Sequence, residues 1–401
     1  MIVTPTDSTS LAKIKVIGVG GAGNNTVDTI ISDYNIEGVE FYAFNTDAQV
    51  LKGSLAPVTL QMGAELTRGL GVGGDNMLGA QAAEESLEQI HEYLAGADMV
   101  FITAGMGGGT GTGAAPVIAG VAKNLGALTV AVVTTPFAFE GKHRKEVALQ
   151  GLQELKDKVD TLIVVPNQRL LEVVDTNVSF LDAMKEVDKV LAEGVKSIAS
   201  LVTETGFINV DFADVRSIMT DAGTSLMGIG RASGDDRAEQ AARQATNSPL
   251  LNMTIEGAKG VLFNVVGGPS LSMAEVDLAA NLIQEAVDPE ANIIFGASVQ
   301  EDLKDDLVIT IVATGFDDEK QKATLEASTQ VSAASRKPVT TTVSSNTASK
   351  IEKEKAEASV EPDQTESDAK PAPAQTQAKP ASKSVTVDDE ELEVPAFLRR
   401  G

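Results

Sequence analysis

Two glycine-dense segments hold the residues best suited to chemistry, and each follows an apolar, strand-like run. The first is Gly18-Val19-Gly20-Gly21-Ala22-Gly23-Asn24-Asn25 after Lys13–Ile17, and the second is Gly105-Met106-Gly107-Gly108-Gly109-Thr110-Gly111-Thr112-Gly113 after Met99–Ala104. Glycine lets a backbone approach an anion closely, and the start of a following helix adds unpaired N–H donors and a favourable dipole. One strand–glycine–helix unit can hold phosphate; two can grip a polyphosphate. Alone, the first segment fits the G-x-G-x-x-G pattern of a dinucleotide fold, with Asp47 as the carboxylate beyond the next strand-like run, Val39–Phe44. An NAD(P)-dependent oxidoreductase is compatible with that much. The second segment puts five glycines and two threonines into Gly107–Gly113, just before Ala114-Ala115-Pro116, a plausible helix start. A dinucleotide fold needs no such second segment. No G-x-x-x-x-G-K-[ST] run is present, so backbone donors, threonine hydroxyls and a metal ion would hold the phosphates. Tight turns of an α/β sheet are the bland reading of both segments, and of a third, Gly71-Val72-Gly73-Gly74.

The carboxylates supply the remaining chemistry. Asp211 and Asp214 lie three apart in Asn209-Val210-Asp211-Phe212-Ala213-Asp214, a loop running into a short helix, so both project toward one side. Beside a polyphosphate such a pair orients a water molecule; alone it reads more often as an acidic helix start. Asp188 interrupts a long apolar helix. Alone it reads more often as a solvated helix face; in a base pocket its carboxylate would accept from the ring N–H and amino group of guanine, whereas adenine presents the opposite pattern, which would favour GTP. Glu140 and Arg144 read on their own as an i,i+4 ion pair, and Asn167 follows the strand-like run Leu162–Val165. With His91 and His143 the only histidines and no cysteine, a transition-metal site is unsupported, and Mg²⁺ held by phosphate and water is the expected ion.

Short β-branched runs alternate with helical patterns, as in a parallel α/β sheet. Strands are expected at Ile14–Val19, Val39–Phe44, Met99–Thr103, Leu128–Val133 and Leu162–Val165, with a helix at Ala80–Leu94. From Ser179, apolar residues from Leu181 and Met184 to Ile198 and Leu201 recur at helical spacing and predict one long buried central helix ended by Gly206. Runs at Ser225–Ile229, Val261–Val266, Asn292–Ser298 and Leu307–Ala313, with helices near Arg237–Ala245 and Met273–Val287, predict a smaller α/β domain packed on that helix. From Asp317 to Ala396 there is neither glycine nor aromatic residue, which predicts a disordered linker; Glu391–Arg400 regains Leu392, Val394, Phe397 and Leu398, as a docking peptide would.

A formal charge of −25 over 401 residues argues against a nucleic-acid partner. Met1–Ser10 has neither a basic segment nor an apolar core, and no apolar run approaches the roughly 20 residues that span a bilayer, so a cytoplasmic protein without membrane insertion is expected.

Three separated motifs now stand in order: Gly107–Gly113, Asn209–Asp214 and Val394-Pro395-Ala396-Phe397-Leu398-Arg399-Arg400. Together they resemble the FtsZ family of bacterial tubulin homologues from about Lys13 to Phe316 and again in the last residues. The resemblance implies a tubulin-like α/β fold: a flexible N-terminus (1–10), a Rossmann-type GTP-binding domain (11–178), the central helix (179–206), a smaller α/β domain (207–316), a linker (317–387) and a docking peptide (388–401). It implies a self-assembling GTPase of the division ring at mid-cell, using GTP/GDP and Mg²⁺, polymerising head-to-tail, and meeting division proteins and membrane tethers through the terminal peptide. By position it assigns Gly21, Ala22, Gly23, Asn24, Asn25, Gly108, Gly109, Thr110 and Gly111 to the phosphates, and Gly71, Val72 and Gly73 to the terminal phosphate. Glu140 and Arg144 fall to the ribose, Asn167 and Asp188 to the base, with Met184 where the family commonly has a stacking aromatic. Asn209, Asp211 and Asp214 are assigned to catalysis in the next subunit's site. A non-catalytic tubulin-like scaffold is the alternative that lacks this last part.

Overall fold

The computed structural model describes residues 12–317 and 319, except 35, 174–178, 205 and 249–253. The chain divides into units 1–337 and 338–401; the second, with most of the expected linker and the docking peptide, lies outside the described residues.

The nucleotide-type half runs β1 (Ile14–Val19), α1 (Gly20–Asp33), β2 (Val39–Asn45), α2 (Ala48–Gly53), β3 (Val58–Gln61), α3 (Ala64–Thr67), α4 (Asn76–Glu85), α5 (Leu87–Leu94), β4 (Met99–Gly105), α6 (Thr110–Asn124), β5 (Leu128–Thr135), α7 (Lys142–Lys156), β6 (Thr161–Pro166) and α8 (Asn167–Val173). Then come α9 (Phe180–Thr203), α10 (Phe212–Met219), β7 (Gly223–Ser233), α11 (Arg237–Thr246), β8 (Gly260–Gly267), α12 (Met273–Glu285), β9 (Asn292–Val299) and β10 (Asp306–Thr314). β1, β5 and β6 are buried along their whole length, as strands covered by helices on both faces must be, which is why they read as unbroken apolar runs.

All ten strands join one sheet in the order β3-β2-β1-β4-β5-β6-β7-β10-β8-β9. The strands from β3 to β6 are parallel, and β1 sits between β2 and β4 with Ile14 opposite both Val39 and Met99. The order reverses there, and the carboxyl ends of strands at such a switch point form a crevice for ligands. The second half continues the sheet: β7 pairs with β6 over Thr161–Ile163 and Gly223–Ser225, and β10 lies antiparallel between β7 and β8.

The α9 helix ties the halves together. Val187, Leu191, Val195 and Ile198 are buried in one core cluster with Val130 of β5, Ile163 of β6, Met227 of β7 and Val312 of β10. Ser179 caps its start by accepting from Asp182 N, but Leu181 in the first turn is 64% exposed, so the burial expected along the whole helix begins one turn later. The helix also ends before Gly206: Glu204 N closes it on Ser200 O. A Cβ at Gly206 would come within 2.5 Å of Ala297 O, so this glycine makes room for the bridge between Ile208 and Ala297 of β9. The helix expected at Ala80–Leu94 is broken at Ser86, whose hydroxyl accepts Gly63 N at 3.1 Å.

Candidate nucleotide site

The first glycine segment is a helix start rather than a loop, and the second is a turn, Met106–Gly109, that runs into one. α1 begins at Gly20, whose φ of +72° suits glycine, and α6 begins at Thr110. Added Cβ atoms would lie 2.2 Å from Thr103 O at Gly23 and 2.7 Å from Gly105 O at Gly111, so these glycines let the helices begin against the strands. At Gly21 and Gly108 nothing lies within 4 Å of an added Cβ, and both border a cavity of about 1000 Å³ at the carboxyl ends of β1, β2, β4 and β5. Gly113 N is bonded to Gly109 O, so the N–H groups of the turn before it have no carbonyl within the helix and are available to an anion.

The floor between the helix starts comes from the end of β2. Asn45 Oδ1 accepts Thr46 N at 2.8 Å and Asp47 N at 3.2 Å, while its buried Nδ2 has no partner. The hydroxyls of Thr46 and Thr110 lie 2.7 Å apart, joining this floor to the second glycine segment. Asp47 Oδ1 accepts Gln49 N at 2.8 Å as the cap of α2. Above it, Gly71, Gly73 and Gly74 take positive φ, and a Cβ at Gly109 would lie 2.5 Å from Val72 Cγ2, so the third glycine loop is seated on the second segment.

At the other end, Glu140 accepts Phe137 N at 2.8 Å and pairs with Arg144 Nη1. Asn167 is buried on the wall, its Oδ1 without a partner, and Met184 of α9 also lines the cavity. Asp188 stands one turn further along α9, outside the lining; burial raises its carboxyl to about 7.

Of the residues assigned by sequence, Gly21, Ala22, Gly71, Val72, Gly73, Gly108, Gly109, Thr110, Gly111, Glu140, Arg144 and Asn167 line this one cavity; Gly23, Asn24, Asn25 and Asp188 do not. Asn24 is buried, its amide placed to donate to Gly18 O at 3.2 Å and Phe44 O at 3.3 Å, so it ties α1 to β1 and β2. Asn25 is exposed. Sequence reasoning missed Asn45 and Thr46 and read Asp47 only as a dinucleotide-type carboxylate; their position at the end of a strand beside the switch point was the available signal.

Asn209, Asp211 and Asp214 are exposed and outside the cavity. Asp211 is the N-terminal flanking residue of α10 yet makes no side-chain capping bond, and Asn209 Oδ1 accepts Gly206 N at 2.6 Å. From α10, Arg216 Nη2 donates to Asp98 O and Gly126 O, which lead into the amino ends of β4 and β5. The aspartates therefore border the amino edge of the parallel sheet and the cavity its carboxyl edge, separated by strands such as the eight-residue β5, which at 3.3 Å per residue is roughly 26 Å.

The Tubulin/FtsZ family GTPase domain matches residues 13–175, and the FtsZ family C-terminal domain matches residues 223–317. The empty FtsZ dimer of M. jannaschii is 46% identical with a TM-score of 0.73, covering 76% of this chain and 88% of that one. The chain belongs to the FtsZ family. A point mutant of M. jannaschii FtsZ matches with a TM-score of 0.74 at 46% identity, over 76% of this chain and 91% of that one. CetZ2 from Haloferax volcanii, described as a GTPγS-bound protofilament, shares the fold at 23% identity with a TM-score of 0.66, over 79% of this chain and 97% of that one. This FtsZ-family chain is a GTPase that binds GTP and GDP. No helix among its described residues is long and apolar enough to cross a membrane.

Proposed function

We propose that this FtsZ-family GTPase polymerises head-to-tail, that the glycine cradle of one subunit holds GTP while Asp211 and Asp214 of the next position the attacking water, and that the polymers build the division ring. The observation that carries this reading is the placement of the carboxylates. The two that line the cavity are engaged, Asp47 in capping α2 and Glu140 with Arg144 and Phe137 N, whereas the unspent pair borders the opposite edge of the sheet. Within one subunit the pair cannot reach the phosphates; a neighbour stacked edge to edge brings it there. Leu70 beside the cradle and Phe207 beside the aspartates are 82% and 83% exposed, and burying them would help hold such a contact. A contact between two different faces does not close on itself unless its rotation does, so it propagates as a filament.

Within the cradle, Gly21, Ala22 and the Gly108–Gly111 backbone would hold the phosphates, and Gly71–Gly73 would cover the terminal one. Glu140 and Arg144 would meet the ribose, Asn167 Oδ1 and Asp188 the guanine edge. Among the described residues no group of three His, Asp or Glu is placed to hold a metal ion. The hydroxyls of Thr46 and Thr110 and Asp47 Oδ2, the oxygen that does not cap α2, fit Mg²⁺ held largely by phosphate and water, and such an ion would offset charge on the phosphates. Neither a dinucleotide-dependent oxidoreductase nor a non-catalytic scaffold accounts for both the double cradle and the free aspartate pair. Expected partners through the terminal peptide are division proteins and membrane tethers.

The test is complementation by mixing. An Asp211→Ala/Asp214→Ala variant keeps the cradle and a Gly108→Ser variant keeps the aspartates; each alone should release phosphate at no more than about a hundredth of the parent rate. Mixed, one of the two contact orders rebuilds a working site, and turnover should exceed the sum of the parts and depend on the ratio. Additive residual turnover from variants shown by light scattering to enter the same polymer would remove the aspartates from the neighbouring site.

A further inference from the structure

The chain has no cysteine, so its redox-active sulfur lies entirely in ten methionines. Of the eight described, Met62, Met99, Met106, Met219 and Met227 are buried, 4% exposed at most. Met77 and Met273 are 71% and 75% exposed and stand outside the cavity wall. Met184 alone among these eight is both partly exposed and part of the wall, four residues before Asp188 on the same face of α9. Its apolar flank packs on the core cluster below, which fixes it where a bound base would cover it. Access of solvent to this one thioether therefore depends on whether the cavity is filled.

We propose that Met184 is a peroxide-modifiable element of the base end of the nucleotide site, protected while nucleotide is bound and, once oxidised, lowering nucleotide affinity. This rests on the reading of the cavity as the GTP site. In the reaction a sulfur lone pair attacks one oxygen of hydrogen peroxide; the S–O bond forms as the O–O bond breaks, sulfur gives up two electrons, and water leaves. The product is a polar, chiral sulfoxide in place of a polarisable apolar surface under an aromatic ring, which methionine sulfoxide reductases can reverse. Contacts between a thioether and an aromatic ring are modest, so oxidation should weaken GDP binding by about two- to tenfold.

The full chain is treated with hydrogen peroxide with and without saturating GDP, and sulfoxide is measured at each methionine by peptide mass spectrometry. GDP should slow oxidation of Met184 severalfold and leave Met273 unchanged. Peroxide-treated protein should bind labelled GDP more weakly than untreated protein, and methionine sulfoxide reductase should restore the affinity. A Met184→Leu variant, compared before and after peroxide, should show no such drop, whereas Met77→Leu/Met273→Leu should show it in full. GDP bound at normal affinity with equal Met184 oxidation in its presence and absence would overturn the proposal and leave the site assignment standing. So would an undiminished peroxide effect in Met184→Leu. Failure of untreated protein to bind GDP at all would overturn both.

Discussion

At the scale of single residues, Asp188 carries the clearest pH signature. Burial lifts its carboxyl to about 7 in the nucleotide-free protein, far above the unfolded value, so the folded state binds this proton more tightly than the unfolded one. Its contribution to stability is full below the unfolded value of 3.8, falls as pH rises from there, and is gone above about 7. Asp188→Asn should therefore raise the melting temperature of the nucleotide-free protein at pH 8, and by roughly half as much at pH 5.5. Accepting from guanine N–H groups requires the opposite, ionised form. GDP affinity of the parent should fall as pH drops below 7, by at most about tenfold per unit, and the Asn variant should bind weakly with a flat profile. Calorimetric titration from pH 5.5 to 8 checks both; a flat parent profile would remove Asp188 from base recognition.

At the scale of elements, the connection from α9 to α10 positions Asn209, Asp211 and Asp214 through one tight crossing, the bridge of Ile208 to Ala297 under Gly206. A Cβ there meets backbone rather than a flexible side chain, so Gly206→Ala should cost about 1–3 kcal/mol by overpacking and shift the aspartate loop. We expect a lower melting temperature, GDP affinity within about twofold of the parent and a severalfold loss of turnover; unchanged turnover would detach the crossing from catalysis. The strands and the cradle were legible in the sequence for a physical reason. Strands buried on both faces read as unbroken apolar runs, and helix starts that touch strands demand glycine, as at Gly23 and Gly111. Polar chemistry that needs no special backbone left no comparable mark: Asn45 and Thr46 look ordinary until β1 and β2 are paired. The pairing of β6 with β7, which makes two expected sheets into one, involves three residue pairs far apart along the chain, and no local periodicity reports it. Ser86 breaks a helix whose spacing is otherwise continuous because its hydroxyl serves Gly63 N elsewhere.

At the scale of the whole molecule, a split site makes turnover a property of encounters. Phosphate release per subunit should be near zero at high dilution, rise steeply where light scattering first reports assembly, and then level off. A constant specific activity through the assembly threshold would mean that each subunit hydrolyses GTP unaided. The parallel half of the sheet gives every subunit a direction, with the cradle at one edge and the aspartates at the other. A row of subunits inherits that direction. On the proposed reading its leading end would present an open cradle whose GTP no neighbour can cleave, and its trailing end aspartates with nothing to act upon. The two ends are different chemical objects, so nucleotide exchange, blocking by another protein and departure of subunits have no reason to proceed alike at both.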